Sequence, residues 1–118
     1  MLKDKAVENL AAGDLLVERG HPNAAASRYY YAMFQAAVHR LNLKGWRPGA
    51  VRSGAVDWDH SMVLNNLGRI GGRWNEKLLC TEMRNLRVVA DYSEDSVPAP
   101  KLVDRRDAIA DMVRRLTE

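Results

Sequence analysis

The chain has 118 residues, of which 47 % are hydrophobic and only 7 % aromatic, the size of one domain with one hydrophobic core and too small for two. Its net charge of +3 suits an anionic partner while also serving solubility, and its one cysteine, Cys80, excludes an intramolecular disulfide and suits a reducing compartment. Val and Ile form no alternating runs, and Ala and Leu are prominent, which favours helices over sheets. The N-terminal stretch from Met1 to Glu8 mixes both charges and lacks the pattern of a secretory signal. The longest mostly apolar stretch, Ala24 to Leu43, is broken by Arg28, Gln35, His39 and Arg40, so no membrane span and a cytoplasmic location are expected.

Leu2, Ala6, Leu10, Gly13 and Val17 recur every three or four positions and line one face of a first helix, stopped by Gly20-His21-Pro22-Asn23. A second helix runs from about Asn23 to Leu41 on the stripe Ala26, Tyr30, Met33, Ala37, Leu41, with Arg28, Gln35 and His39 opposite. On this reading Tyr30 and Met33 are core residues, while Tyr29 and Tyr31 flank the stripe and are open to an interface role.

From Lys44 to Val56, Gly45, Pro48, Gly49, Ser53 and Gly54 remove helical propensity, and Arg47 and Arg52 stand without acidic neighbours, so a long loop is expected. No Gly-Lys-Ser/Thr follows, which excludes a phosphate-cradling P-loop. A third helix fits Asp59 to Ile70 and ends at Gly71-Gly72. A fourth fits Asn75 to Tyr92 with Leu79, Met83, Leu86 and Ala90 inward. After the connection from Ser93 to Pro100, a last helix carries Leu102, Ile109, Val113 and Leu116, with Arg114 and Arg115 near the negative end of its dipole. The expected fold is all-α, an antiparallel bundle of four to five helices in a single domain over 1–118.

His21, His39 and His60 lie 18 and 21 residues apart, without metal-ligand spacing, so no metal and no cofactor are expected. No nucleophile elbow or hydrolytic triad can be nominated, and Cys80 reads as a small core residue. Trp46, Trp58 and Trp74 stand at loop or helix edges as anchors for a loop or partner. The fourth helix carries more. At 100° per residue Arg84, Arg87 and Asp91 share one side, with Asn85 and Tyr92 beside them; a solvated face with an Arg87–Asp91 pair explains the same pattern.

Two segments resemble a known family. Ala25-Ala26-Ser27-Arg28-Tyr29-Tyr30-Tyr31-Ala32-Met33-Phe34-Gln35-Ala36-Ala37 is similar to the second-helix signature of HEPN domains, and Arg87-Val88-Val89-Ala90-Asp91-Tyr92 to the Arg-x-x-Ala-Asp-Tyr motif of one HEPN branch. The resemblance covers nearly the whole chain, with a looser match in the middle loop. It implies a homodimeric helical bundle in which the two fourth-helix motifs meet across a shared cleft, within a toxin–antitoxin or defence-type module. It also implies a minimal nucleotidyltransferase partner, which in some modules transfers AMP to a tyrosine of the motif. Tyr92 matches that position, and Arg84 and Arg87 would hold the phosphate.

In RNA-cleaving members an Arg is followed after four to six residues by His. Here Arg84-Asn85 fits the start, but Val89, Ala90 and Asp91 occupy the positions after Arg84, and Tyr92, Ser93 and Glu94 those after Arg87. An RNase needs a group that carries a proton near neutrality, and Asp91 beside Arg84 and Arg87 would have its carboxyl held low. His39 is a further candidate for that part, and Arg28 is expected to reach the acidic residue of the fourth helix. Three readings stay open. The first is a HEPN subunit whose Arg84, Asn85, Arg87 and Tyr92 bind a nucleotide, RNA or the nucleotidyltransferase partner. The second is a metal-independent RNase with Arg84, Arg87 and Asp91 in an atypical active site, and the third is a scaffold without a ligand.

Overall fold

The computed structural model describes residues 1–46 and 59–118; Arg47, Arg52, Trp58 and most of the expected loop lie outside the described residues. The described residues form five α-helices and one 3-10 turn, with no strand among them: α1 Leu2–Glu18, α2 Pro22–Leu43, α3 His60–Asn65, the 3-10 turn Leu67–Ile70, α4 Glu76–Tyr92 and α5 Ala99–Thr117. The all-helical expectation is met, and none of these helices is long and apolar enough to cross a membrane.

α1 ends in a hydrogen-bonded cap in which Gly20, at φ 78°, takes the left-handed conformation, its N–H donating to Val17 O and that of His21 to Leu16 O. The chain therefore reverses within a few residues, and α2 packs back along α1. The expected third helix breaks in two. Asp59 caps α3 by accepting from Met62 N at 3.0 Å, and Asn66 then turns its side chain back to donate to Met62 O at 2.7 Å, so the chain tightens into the 3-10 turn. α5 starts from Pro98 with Pro100 in its first turn.

α2 is the hub, with α1, α4 and α5 all packed against it. The expected stripe of Ala26, Tyr30, Met33, Ala37 and Leu41 is buried, but so are Ala25, Tyr29, Ala32, Ala36 and Val38, which widens one apolar face into burial around most of the helix. The many alanines allow this, since small side chains let three helices approach one axis. On the α1 side the helices approach closely at Gly13, where an added Cβ would stand 2.7 Å from the Tyr29 ring.

Tyr29 is therefore not available to an interface: it is fully buried, and its hydroxyl donates to Asp14 Oδ1 at 2.6 Å. Asp14 and Glu18 both pair with Arg106 of α5 at 3.0 Å, tying three helices together at this junction. At the opposite end, Arg40 donates from Nε to Leu116 O at 3.1 Å, satisfying one of the last carbonyls of α5. Glu76 closes the α4 start by accepting from Arg73 N at 2.6 Å and by pairing with Arg115.

Candidate functional site

α4 presents three faces. Leu79, Cys80, Met83 and Leu86 are buried against the core, and Ala90 is partly buried. Cys80 stays a core residue: its thiol lies 3.9 Å from the Met33 sulfur and 3.8 Å from that of Met112, and burial pushes its pKa up to about 12, so it remains a neutral thiol. The outward face carries Leu78, Thr81, Asn85, Val88 and Tyr92, all exposed. Between these two runs the flank with Arg84, Arg87 and Asp91, which turns toward α2.

The flank splits the predicted residues. Arg87 turns inward, its side chain only 17 % exposed, with Nη1 donating to the Tyr31 hydroxyl at 3.2 Å and standing 3.7 Å from Asp91 Oδ2. Its guanidinium carbon lies 5.7 Å from the Tyr30 ring centre and 5.5 Å from that of Tyr31, within the range where a cation is attracted to an aromatic face. Its Nε is buried without a hydrogen-bond partner among the described residues. Arg84 is half-buried on the same flank and has neither a hydrogen bond nor an ion pair among the described residues. Asn85 is exposed, and Tyr92 is 77 % exposed, so its phenol is open.

Asp91 is reached from α2, but not by Arg28. Ser27 Oγ donates to Asp91 Oδ1 at 3.2 Å, while Arg28 donates from Nη1 to Asn9 Oδ1 at 3.2 Å on the α1 side. One residue turns the side chain by 100° around the helix, which sends Ser27 toward α4 and Arg28 away from it. Asn9 in turn donates to Gln35 Oε1 at 2.8 Å, completing a polar ladder along the outside of α1 and α2.

His39 is not brought to this flank. It lies beside Arg40, Lys3 and Asp4, its pKa lowered first by burial and then by Arg40 and Lys3. Twelve residues along α2 separate it from Ser27, roughly 18 Å at the helical rise.

A different histidine comes close. His60, the first residue of α3, is half-buried and hydrogen-bonds through Nδ1 to the Tyr30 hydroxyl. Its ring stacks on Phe34 at 4.2 Å and 16°, and on Tyr30 at 5.6 Å and 14°. Tyr30 itself is fully buried; burial pushes its pKa up to about 12, with Arg84 and Arg87 both pulling the other way. One tyrosine thus links a histidine from α3, through its hydroxyl, with the Arg87 guanidinium of α4 beside its ring. Sequence reading gave His60 no part, because its partner lies 30 residues earlier on another helix and no local spacing announces the pair.

Of the tryptophans, Trp46 is half-buried against the core with the Arg69 guanidinium 5.2 Å from its ring centre, and Trp74 is 86 % exposed in the turn before α4. Trp74, Leu78, Leu79 and Glu82 face Asp104, Arg105 and Ala108 across a groove of about 330 Å³ between α4 and α5. Among the described residues no group of three His, Cys, Asp or Glu side chains stands where it could hold a metal ion. Comparison with protein-family models, with curated proteins and with solved structures finds no match for this chain.

Proposed function

We propose that the chain is a HEPN-type subunit of a toxin–antitoxin or defence-type module, a homodimer paired through α4 that binds the phosphate of a nucleotide or RNA at the Arg84 flank. The observation that carries this reading is the order of residues on the outward face of α4. Leu78, Thr81, Asn85 and Val88 follow the alternating three- and four-residue spacing of a helix-pairing seam, with Tyr92 at one end and Trp74 just before the other, and all six are exposed.

The seam reads alike in both directions. Trp74 and Tyr92, Leu78 and Val88, and Thr81 and Asn85 are symmetric about position 83. An antiparallel two-fold pairing sets aromatic against aromatic, aliphatic against aliphatic and polar against polar, the self-complementarity that an isologous interface needs. Trp74 and Tyr92 close the ends, where an interface rim stays wet and a phenol can still be reached by a partner. Arg84 lies one residue from the symmetry point and to the side of the seam, so both copies' Arg84 side chains stand on the same flank of the pair, backed by Arg87. Four guanidiniums around one cleft suit an anionic ligand.

The exposed Tyr92 phenol also supports the expected nucleotidyltransferase partner, for which it is the acceptor of AMP. Sedimentation equilibrium combined with binding of a fluorescent single-stranded RNA tests the reading. Wild type is expected to be a dimer, Leu78→Glu with Val88→Glu a monomer, and Arg84→Ala a dimer that binds at least about tenfold more weakly. A monomeric wild type that binds neither RNA nor AMP would sink the proposal.

A further inference from the structure

Resting on the reading of the Arg84 flank as a phosphate-binding surface, we infer that Arg28 and the Tyr31 hydroxyl form a second phosphate subsite on α2. The ligand is then a single RNA strand with phosphates on both sides of Tyr31, not a mononucleotide.

Arg28 and Tyr31 stand three residues apart on one side of α2, the first exposed and the second half-buried. Toward α4, Arg87 Nη1 donates to the Tyr31 hydroxyl at 3.2 Å. Toward α1, Arg28 Nη1 donates to Asn9 Oδ1 at 3.2 Å, and Asn9 Nδ2 donates in turn to Gln35 Oε1 at 2.8 Å. The second bond fixes the direction of the Asn9 amide: with its nitrogen on Gln35, its oxygen is left for Arg28. Arg28 is positioned by a neutral amide and forms no ion pair among the described residues, so its charge is held in place without being cancelled.

The phenol adds a donor. While its oxygen accepts from Arg87, Tyr31 keeps its own proton, which meets no acceptor among the described residues. From α4 toward α1 the order is Arg84, Arg87, the Tyr31 O–H and Arg28, donors throughout, and the nearby Asp91 carboxylate is already engaged by Ser27 and Arg87. Such a row suits the phosphate oxygens of an extended strand. Neighbouring helix axes pack about 8–10 Å apart, so contact with Arg84 on α4 and with Arg28 on the α1 side of α2 needs a ligand longer than one nucleotide.

The test sets a single-stranded RNA octamer against AMP, with binding of each to the full chain read by calorimetry. Wild type should bind the octamer at least about tenfold more tightly than AMP. Arg28→Gln should weaken octamer binding about tenfold and leave AMP binding unchanged. Its octamer binding should also depend less steeply on salt, by about 0.7 in the slope of log K against log salt, the share of one phosphate on a single strand. Tyr31→Phe, which keeps the ring and removes the O–H, should weaken the octamer several-fold and spare AMP. Arg28→Gln that binds the octamer as wild type does, or that loses octamer and AMP equally, overturns the second subsite, as does wild type that binds AMP as tightly as the octamer. The Arg84 reading survives each of these, since Arg84→Ala should weaken both ligands. Wild type that binds neither overturns both.

Discussion

Tyr29 and Tyr30 are neighbours on α2, both fully buried and both with a paired hydroxyl, yet the junctions they anchor differ in kind. Tyr29 joins Asp14, and Asp14 and Glu18 share Arg106, so every charged group there has a partner at 3.0 Å. Tyr30 joins a histidine and lies near two guanidiniums: Arg84 lacks an ion pair among the described residues, and Arg87, 3.7 Å from a half-exposed Asp91, keeps a buried Nε with no hydrogen-bond partner among them. A closed network of the first kind holds helices together. A guanidinium left without a carboxylate partner suits the binding of an anion, at some cost to stability.

The largest expected effect falls on the Tyr29 side. Gly13→Val should destabilise the chain by on the order of 3 kcal/mol, because the new side chain meets a ring that is buried and held by Asp14. Chemical denaturation measures this, and a loss below about 0.5 kcal/mol would mean that the close approach at Gly13 contributes little.

The next effect joins the two tyrosines. Burial raises both pKa values above the unfolded value of 10.0, to about 12 for Tyr30, so their contribution is complete below pH 10 and is lost as pH rises from there toward the folded-state values. Stability should fall above pH 10 by up to about 1.4 kcal/mol per pH unit for each tyrosine. Tyr29→Phe and Tyr30→Phe should each flatten that fall, which chemical denaturation at a series of pH values above 10 reads, and a fall left unchanged by either substitution would mean that its phenol does not carry it.

The smallest effect separates the two arginines. Arg87→Ala removes the hydrogen bond to the Tyr31 hydroxyl and the ion pair with Asp91 and should cost about 1–2 kcal/mol, whereas Arg84→Ala should change stability by less than about 0.5 kcal/mol while still weakening RNA binding. Thermal melts of the two variants beside wild type read the difference, and equal melting points would mean that Arg87 is not the structural member of the pair.

Much of the fold was legible because local rules act within a few residues. The recurrence of Leu2, Ala6, Leu10 and Gly13, the Gly20 stop, Pro100 in the first turn of α5 and the inward run Leu79, Met83, Leu86 all follow from helical period and capping. The break at Asn66 did not, since it depends on where one amide side chain finds a carbonyl. The α4 arc was legible as a set of residues sharing one side of a helix, but not the division of labour within it. That Arg87 faces Tyr31 while Arg84 has no salt bridge among the described residues depends on the rotation of α4 against α2, which no spacing within α4 encodes.

Composition, period and caps thus sufficed for an all-helical chain, the bounds of most of its helices and the polar face on which a site would be sought. Which histidine joins that face required the packed molecule. Neither His39 nor His60 has a partner at metal-ligand spacing in the sequence, but α2 carries the first toward the α1 N-terminus while α3 sets the second against Tyr30. The physical reason is range: hydrogen bonds along a helix reach four residues, whereas the contact between residues 30 and 60 exists only once three helices have closed on the alanine-rich hub of α2.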